Sequence, residues 1–148
     1  MYATNDEVRA DAGFTGNTDI DNALINTYQT LANATIDSYI GAVYTLTDLT
    51  GTLFTGSKAE TTLKKLEIML AKAYLFQKIY GYDDSQDKNG YFIEEKLMEQ
   101  LKSVKEGSIR LFDVNSTEFT RREAQTGGLM RAGGYTVDEY EYNIGDEY

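Results

Sequence analysis

The run from Ser57 to Gly81 constrains this chain more than any other stretch. Ser57 followed three residues later by Glu60 is the signature of a capping box, and Gly81 stands where a left-handed cap ends a helix. Between them Leu63, Leu66, Leu70, Ala73, Gln77 and Tyr80 recur every three or four residues, the spacing of one helical face. Glu60, Lys64, Lys65, Glu67, Lys72 and Lys78 fall mostly opposite. Ile68, Leu75 and Ile79 break that division and form a second apolar stripe on the lysine side. A helix that is apolar on two sides must be covered twice. Either another helix of the same chain or a neighbouring subunit supplies the second cover.

The rest of the chain offers three further helices. Thr4 with Glu7 is a second capping box and opens a short helix that Gly13 ends. Thr18 is expected to cap a long helix from about Asp19 to Tyr44. Its apolar face reads Ile20, Leu24, Tyr28, Leu31, Thr35, Tyr39 and Ala42, with Asn22, Asn26, Gln29, Asn33 and Asp37 on the wet side. A last helix runs from about Tyr91 to Lys105 on Tyr91, Leu97, Leu101 and Val104, and Gly107 closes it. The Thr-rich segment Thr45–Gly56 reads as a loop or small hairpin carrying Leu46, Leu49, Leu53 and Phe54, which either folds over the helix ends or faces a partner. After Asp113 the periodicity dissolves. The expectation is therefore a mainly α fold, a small antiparallel bundle of about four helices over residues 1–112, with residues 113–148 as an extended arm.

Composition removes several chemistries. The 148 residues include no Cys, no His, no Pro and no Trp. Zinc sites built from Cys and His are excluded, as are Ser-His and Cys-His nucleophilic arrangements. The net charge of -10 is unevenly spread. Up to Ser57 the only base is Arg9, whereas every lysine lies between Lys58 and Lys105. An acidic chain without a basic stripe is a poor nucleic-acid binder. No run approaches the ~20 apolar residues of a membrane helix, and the acidic start is no signal peptide.

Two motifs invite a functional reading. The turn before the last helix offers Asp83, Ser85, Asp87, Asn89 and Glu94 at calcium-loop offsets, but Lys88 then stands where the sharp turn needs glycine. Counting from Ser85 restores Gly90 and loses the final glutamate. The C-terminal stretch is the other. Asp138, Tyr140, Tyr142 and Ile144 share one side of an extended chain, as in a strand added to a partner's sheet or groove. Together with Tyr135, Val137 and Tyr148, these residues crowd more apolar surface into this end than solvation favours. Carboxylate pairs such as Glu94 with Glu95 mark no pocket, and neither catalysis nor a cofactor is expected.

The order of elements resembles the head–tail connector, or neck adaptor, proteins of tailed bacteriophages. The residues that carry the likeness are Tyr2-Ala3-Thr4-Asn5-Asp6-Glu7-Val8, then Ala34-Thr35-Ile36-Asp37-Ser38-Tyr39-Ile40. Ala71-Lys72-Ala73-Tyr74-Leu75-Phe76 and the stretch from Leu97 to Leu111 follow. The match spans roughly residues 2–112. The resemblance implies a non-enzymatic virion protein at the head–tail interface, present in the host cytoplasm during assembly. It implies a homo-oligomeric ring, commonly a dodecamer, between the portal protein and the next neck or tail-completion protein, with DNA passing through the centre. On that footing Tyr135, Val137, Tyr140, Tyr142, Ile144 and Tyr148 form a portal-binding arm. Ile68, Leu75 and Ile79 face a neighbouring subunit, and Leu49, Leu53 and Phe54 form a tail- or neck-facing loop. The alternative is a small helical binding or regulatory module with a degenerate calcium loop.

Overall fold

The computed structural model describes residues 1–82, 84–85 and 87–122. Four helices pack on one another: α1 (Asn5–Asp11), α2 (Asn22–Ile40), α3 (Lys58–Tyr80) and α4 (Gly90–Glu106). Among the described residues there is no strand, only isolated antiparallel bridges. No described helix is long and apolar enough to cross a membrane.

α3 is the axis. The Ser57 hydroxyl accepts the Glu60 N–H at 3.0 Å and starts the helix, and Gly81, at φ +62°, ends it. The Glu60 carboxylate reaches past the cap residue and accepts the Gly56 N–H at 2.6 Å. α3 touches α1, α2 and α4, so it is buried on several sides at once: Leu63, Leu66 and Leu70, but also Ala71, Leu75 and Phe76. The second apolar stripe is thus largely covered from within the chain. Leu75 is fully buried and has no surface left for a neighbouring subunit. Ile68 is half-buried against the core. Ile79, near the open C-terminal end of α3, is exposed.

α2 begins later than its apolar pattern suggests. Asp21, not Thr18, is the cap, accepting the Leu24 N–H at 2.7 Å. The buried line along it is Ile25, Gln29, Ala32, Ile36 and Ile40. Gln29 therefore lies inside, where a wet position was expected, and Leu31 points out at 49% exposure. The reason is that apolar residues are spread widely around this helix. Their periodicity fixes its type but not its rotation, and tertiary packing chose the face.

α4 runs antiparallel to α3. Its first residue, Gly90, lies so close to the end of α3 that a Cβ there would fall 2.2 Å from the Ala73 carbonyl oxygen. The Asn89 side chain caps α4 through the Tyr91 and Phe92 N–H groups, and Gly107, left-handed at φ +91°, closes it. Leu97, Leu101 and Val104 face the core, whereas Tyr91 is turned outward.

The Thr-rich segment folds over the bundle instead of projecting from it. It contains a short 3-10 turn, Leu46–Thr50, and buries Leu49 and Phe54. Those two residues are core rather than a partner-facing loop, because they seal the adjacent end; only Leu53 of the three is exposed. The core also does not stop at residue 112. Phe112 bridges Glu118, Tyr44 bridges Arg121, and Phe119 is buried. The chain through Arg122 belongs with the bundle.

Candidate functional site

Two polar assemblies fasten the ends of the described chain to the bundle. The first is a socket for residues 1–4. Glu67 lies on α3 between Leu63 and Leu70 and is fully buried. Its carboxylate accepts the Tyr2 backbone N–H at 2.6 Å and the Gln29 Nε2 at 2.8 Å. The same Gln29 nitrogen reaches the Ala3 carbonyl at 2.6 Å. Tyr2 in turn donates its phenol to Asp37 Oδ1 at 2.7 Å, and Asn33 donates to the other Asp37 oxygen at 2.5 Å. Burial first, then the hydrogen bond to Asp37 and the charges of Asp37 and Glu67, push the Tyr2 phenol far above its ordinary value. Gln29 Oε1 and Asn33 Oδ1 are buried without a protein partner, the setting in which an ordered water is expected.

Outside the socket, Lys64 pairs with Glu7 at 2.5 Å. That contact holds the Glu7 carboxyl below its usual range and the Lys64 ammonium above its own. Arg9 ties α1 to the start of α2 through the Asn17 carbonyl and Asn22 Oδ1. The N-terminal element is therefore held by hydrogen bonds and exposed ion pairs as much as by the single buried side chain Val8.

The second assembly clasps residues 109–122. Tyr44 is fully buried; its hydroxyl accepts the Leu111 N–H at 3.3 Å and donates to Glu118 Oε1 at 3.2 Å. Glu118 also receives Arg121 Nε at 2.8 Å and Arg110 at 3.2 Å. The hydrogen bond from Arg121 is the main cause holding the Glu118 carboxyl low. Arg121 lies over the Tyr44 ring and fills the space above Gly107, where a Cβ would fall 2.6 Å from its guanidinium. Arg122 closes the clasp with its backbone N–H on the Val43 carbonyl at 2.7 Å and its guanidinium on the Gly41 carbonyl at 2.9 Å.

Both assemblies join backbone groups to side chains of the bundle, and each keeps a buried polar atom without a protein partner: Gln29 Oε1 and Asn33 Oδ1 in the first, Arg121 Nη2 in the second. Among the described residues no group of three or more acidic side chains is placed to hold a metal ion. Of the calcium-loop candidates, Glu94 accepts Gln77 Nε2 at 2.5 Å, Asn89 caps α4, and Asp83 lies outside the described residues. The six arm residues Tyr135, Val137, Tyr140, Tyr142, Ile144 and Tyr148 lie outside them as well. What the described surface does present is exposed apolar side chains in separate places. Ile79, Tyr80, Tyr82 and Tyr91 surround the turn between α3 and α4, Leu53 and Val114 sit at the other loop, and Leu31 stands on α2. Leu53 borders a cleft of about 480 Å³ shared by Thr47, Thr52, Thr117 and Phe119.

Sequence reasoning missed the socket. One signal could have found it: Glu67 sits in the Leu63–Leu70 line itself, where a carboxylate must be met by donors. No family model, no curated protein and no solved structure matches this chain.

Proposed function

We propose that this chain is a structural assembly protein of a tailed-phage neck, a connector that acts by interface burial without catalysis. The observation that carries the reading is the order of elements behind the resemblance. A short capped helix is tied to the bundle by residues 1–4, a long helix ends in the Ile36-Asp37-Ser38-Tyr39 run, and a lysine-bearing helix and a final helix follow. The fold keeps that order on one bundle, with Tyr2 and Asp37 hydrogen-bonded across it. The acidic surface suits a conduit through which DNA passes without adhering, since like charges repel the phosphate backbone.

In this reading the subunits form a ring on the portal, the next neck or tail-completion protein docks beneath it, and residues 135–148 clip to the portal. Strand pairing and buried tyrosine would supply the contact. The test is co-sedimentation with a cognate portal ring, using the full chain and a chain ending at Gly134. The full chain should pellet with the portal and the shortened chain should not. Retained portal binding by the shortened chain overturns the arm assignment. Calorimetric titration with calcium separates the binding-module alternative, because the connector reading predicts no heat at micromolar metal.

A further inference from the structure

The α3–α4 seam opens on a cleft of about 330 Å³ to which α2 contributes no residue. Its floor is apolar, made by Met69 of α3 with Phe92, Ile93 and Leu97 of α4. Its rim is basic. Lys72 and Lys96 line it, against the one acid Asp87. Lys65 stands four residues before Met69 and seven before Lys72, which puts it on the same face of α3. Lys65 is exposed and makes no ion pair among the described residues. Lys72 pairs with Asp11 at 3.1 Å and Lys96 with Glu99 at 3.5 Å, but solvent-accessible pairs of this kind contribute little and exchange readily. The Lys96 ammonium also lies over the Phe92 ring, 5.7 Å from its centre. An apolar floor beside several cations suits a ligand that alternates aromatic rings with carboxylates.

The chain itself carries such a segment. Residues 135–148 hold four tyrosines and five acids, with Tyr140-Glu141-Tyr142 at the middle, and no base. Twelve residues separate this segment from Arg122. The Arg121 guanidinium lies against Gly107 at the end of α4, and Lys96 is eleven residues back along that helix, about 16 Å. The chain from Arg122 to Tyr135 spans up to about 43 Å when extended, so it reaches the cleft with length to spare for passing round the helix. Attachment also relaxes the demand on affinity. A short tether keeps its end at an effective concentration in the mM range, so a contact with a dissociation constant of about 1 mM is roughly half occupied.

We propose that in the free subunit residues 135–148 occupy the α3–α4 cleft of their own chain. In an extended segment Tyr140 and Tyr142 face the Phe92–Leu97 floor together, and Glu139 and Glu141 face the other way. The long side chains of Lys65, Lys72 and Lys96 can lie along the apolar wall and lift their ammonium groups to those carboxylates. The cleft is then a resting place that withholds the tyrosines from a partner until a stronger contact draws them out. This deepens the arm reading above and rests on it only for what removes the segment; occupancy in the free subunit needs no portal.

The chain has no cysteine, so a single spin label can be placed without interference. In the full-length, isotope-labelled Asn143→Cys variant carrying a nitroxide, amide signals of Met69 and of Phe92 to Leu97 should lose at least about half of their intensity relative to the reduced sample. Those of Ala23, Thr27 and Leu31 on the outer side of α2 should keep theirs. Adding Lys65→Glu and Lys96→Glu, both at exposed positions, should restore the signals, as should salt near ~1 M. No loss at the cleft, an equal loss on α2, or a loss untouched by the reversed charges overturns the proposal. So does the same loss when spin-labelled chains are mixed with isotope-labelled chains that carry no label, because the segment then comes from another copy. Portal co-sedimentation separates the two readings. Broadening at the cleft with portal binding retained by the chain ending at Gly134 keeps this contact and removes the arm assignment; no broadening with portal binding lost does the reverse.

Discussion

At the scale of single residues, the buried Glu67 is the most consequential position outside the apolar core. Its partners are donors without formal charge, the Tyr2 N–H and Gln29 Nε2, so the carboxylate depends on hydrogen bonds rather than a counter-charge. Gln29→Ala removes one of them and also abandons the Ala3 carbonyl. A buried acceptor left short costs about 2 kcal/mol, which a urea midpoint would register. Tyr2 makes an alkaline prediction. Its folded value is raised, so its contribution is complete below the ordinary phenol value near 10 and is lost as pH rises through the folded value. Wild-type stability should therefore fall above pH 10, and Tyr2→Phe should fall less steeply. Parallel curves for the two proteins would mean that the Tyr2–Asp37 bond does not hold the N-terminal segment.

Among the elements, the α3–α4 pair shows how local preference and packing compete. Alanine is better than glycine inside a helix by up to about 1 kcal/mol, so propensity alone favours Gly90→Ala. The Ala73 carbonyl, 2.2 Å from where the new Cβ would lie, argues the other way. Overpacking of this kind costs about 1–3 kcal/mol, and the variant should unfold at lower urea. The clasp makes a second prediction. A chain ending at Phe112 loses the burial of Phe119, about 2 kcal/mol, and uncovers Tyr44; a chain ending at Arg122 should keep the wild-type midpoint.

Much of this architecture was legible in the sequence because its signals are local. Ser57, Thr4, Gly81 and Gly107 mark helix ends through their own side chains or backbone angles, and Leu97, Leu101 and Val104 mark one face of α4. Other features depend on partners far along the chain. Nothing near Gln29 announces that Glu67 needs it, and nothing near Asp113 announces that Tyr44 and Leu111 wait to receive the segment after it. The rotation of α2 was illegible for the same reason. Its apolar residues allow more than one buried face, and α3 selects the one through Ile25, Ile36 and Ile40.

For the whole molecule, the distribution of charge and of uncharged surface matters more than any pocket. The acids of the N-terminal half and the lysines beyond Ser57 meet where the helices pack, as in Glu7 with Lys64 and Asp11 with Lys72. α3 is so thoroughly covered by its own chain that Leu75 is unavailable to a neighbour. We propose that this subunit is a ring-forming adaptor. Negative-stain imaging with mass determination, on the purified protein alone and mixed with a cognate portal ring, tests that claim most directly. Rings, or a stacked assembly with the portal, are the expected result. A monomer at every concentration that ignores the portal would contradict it.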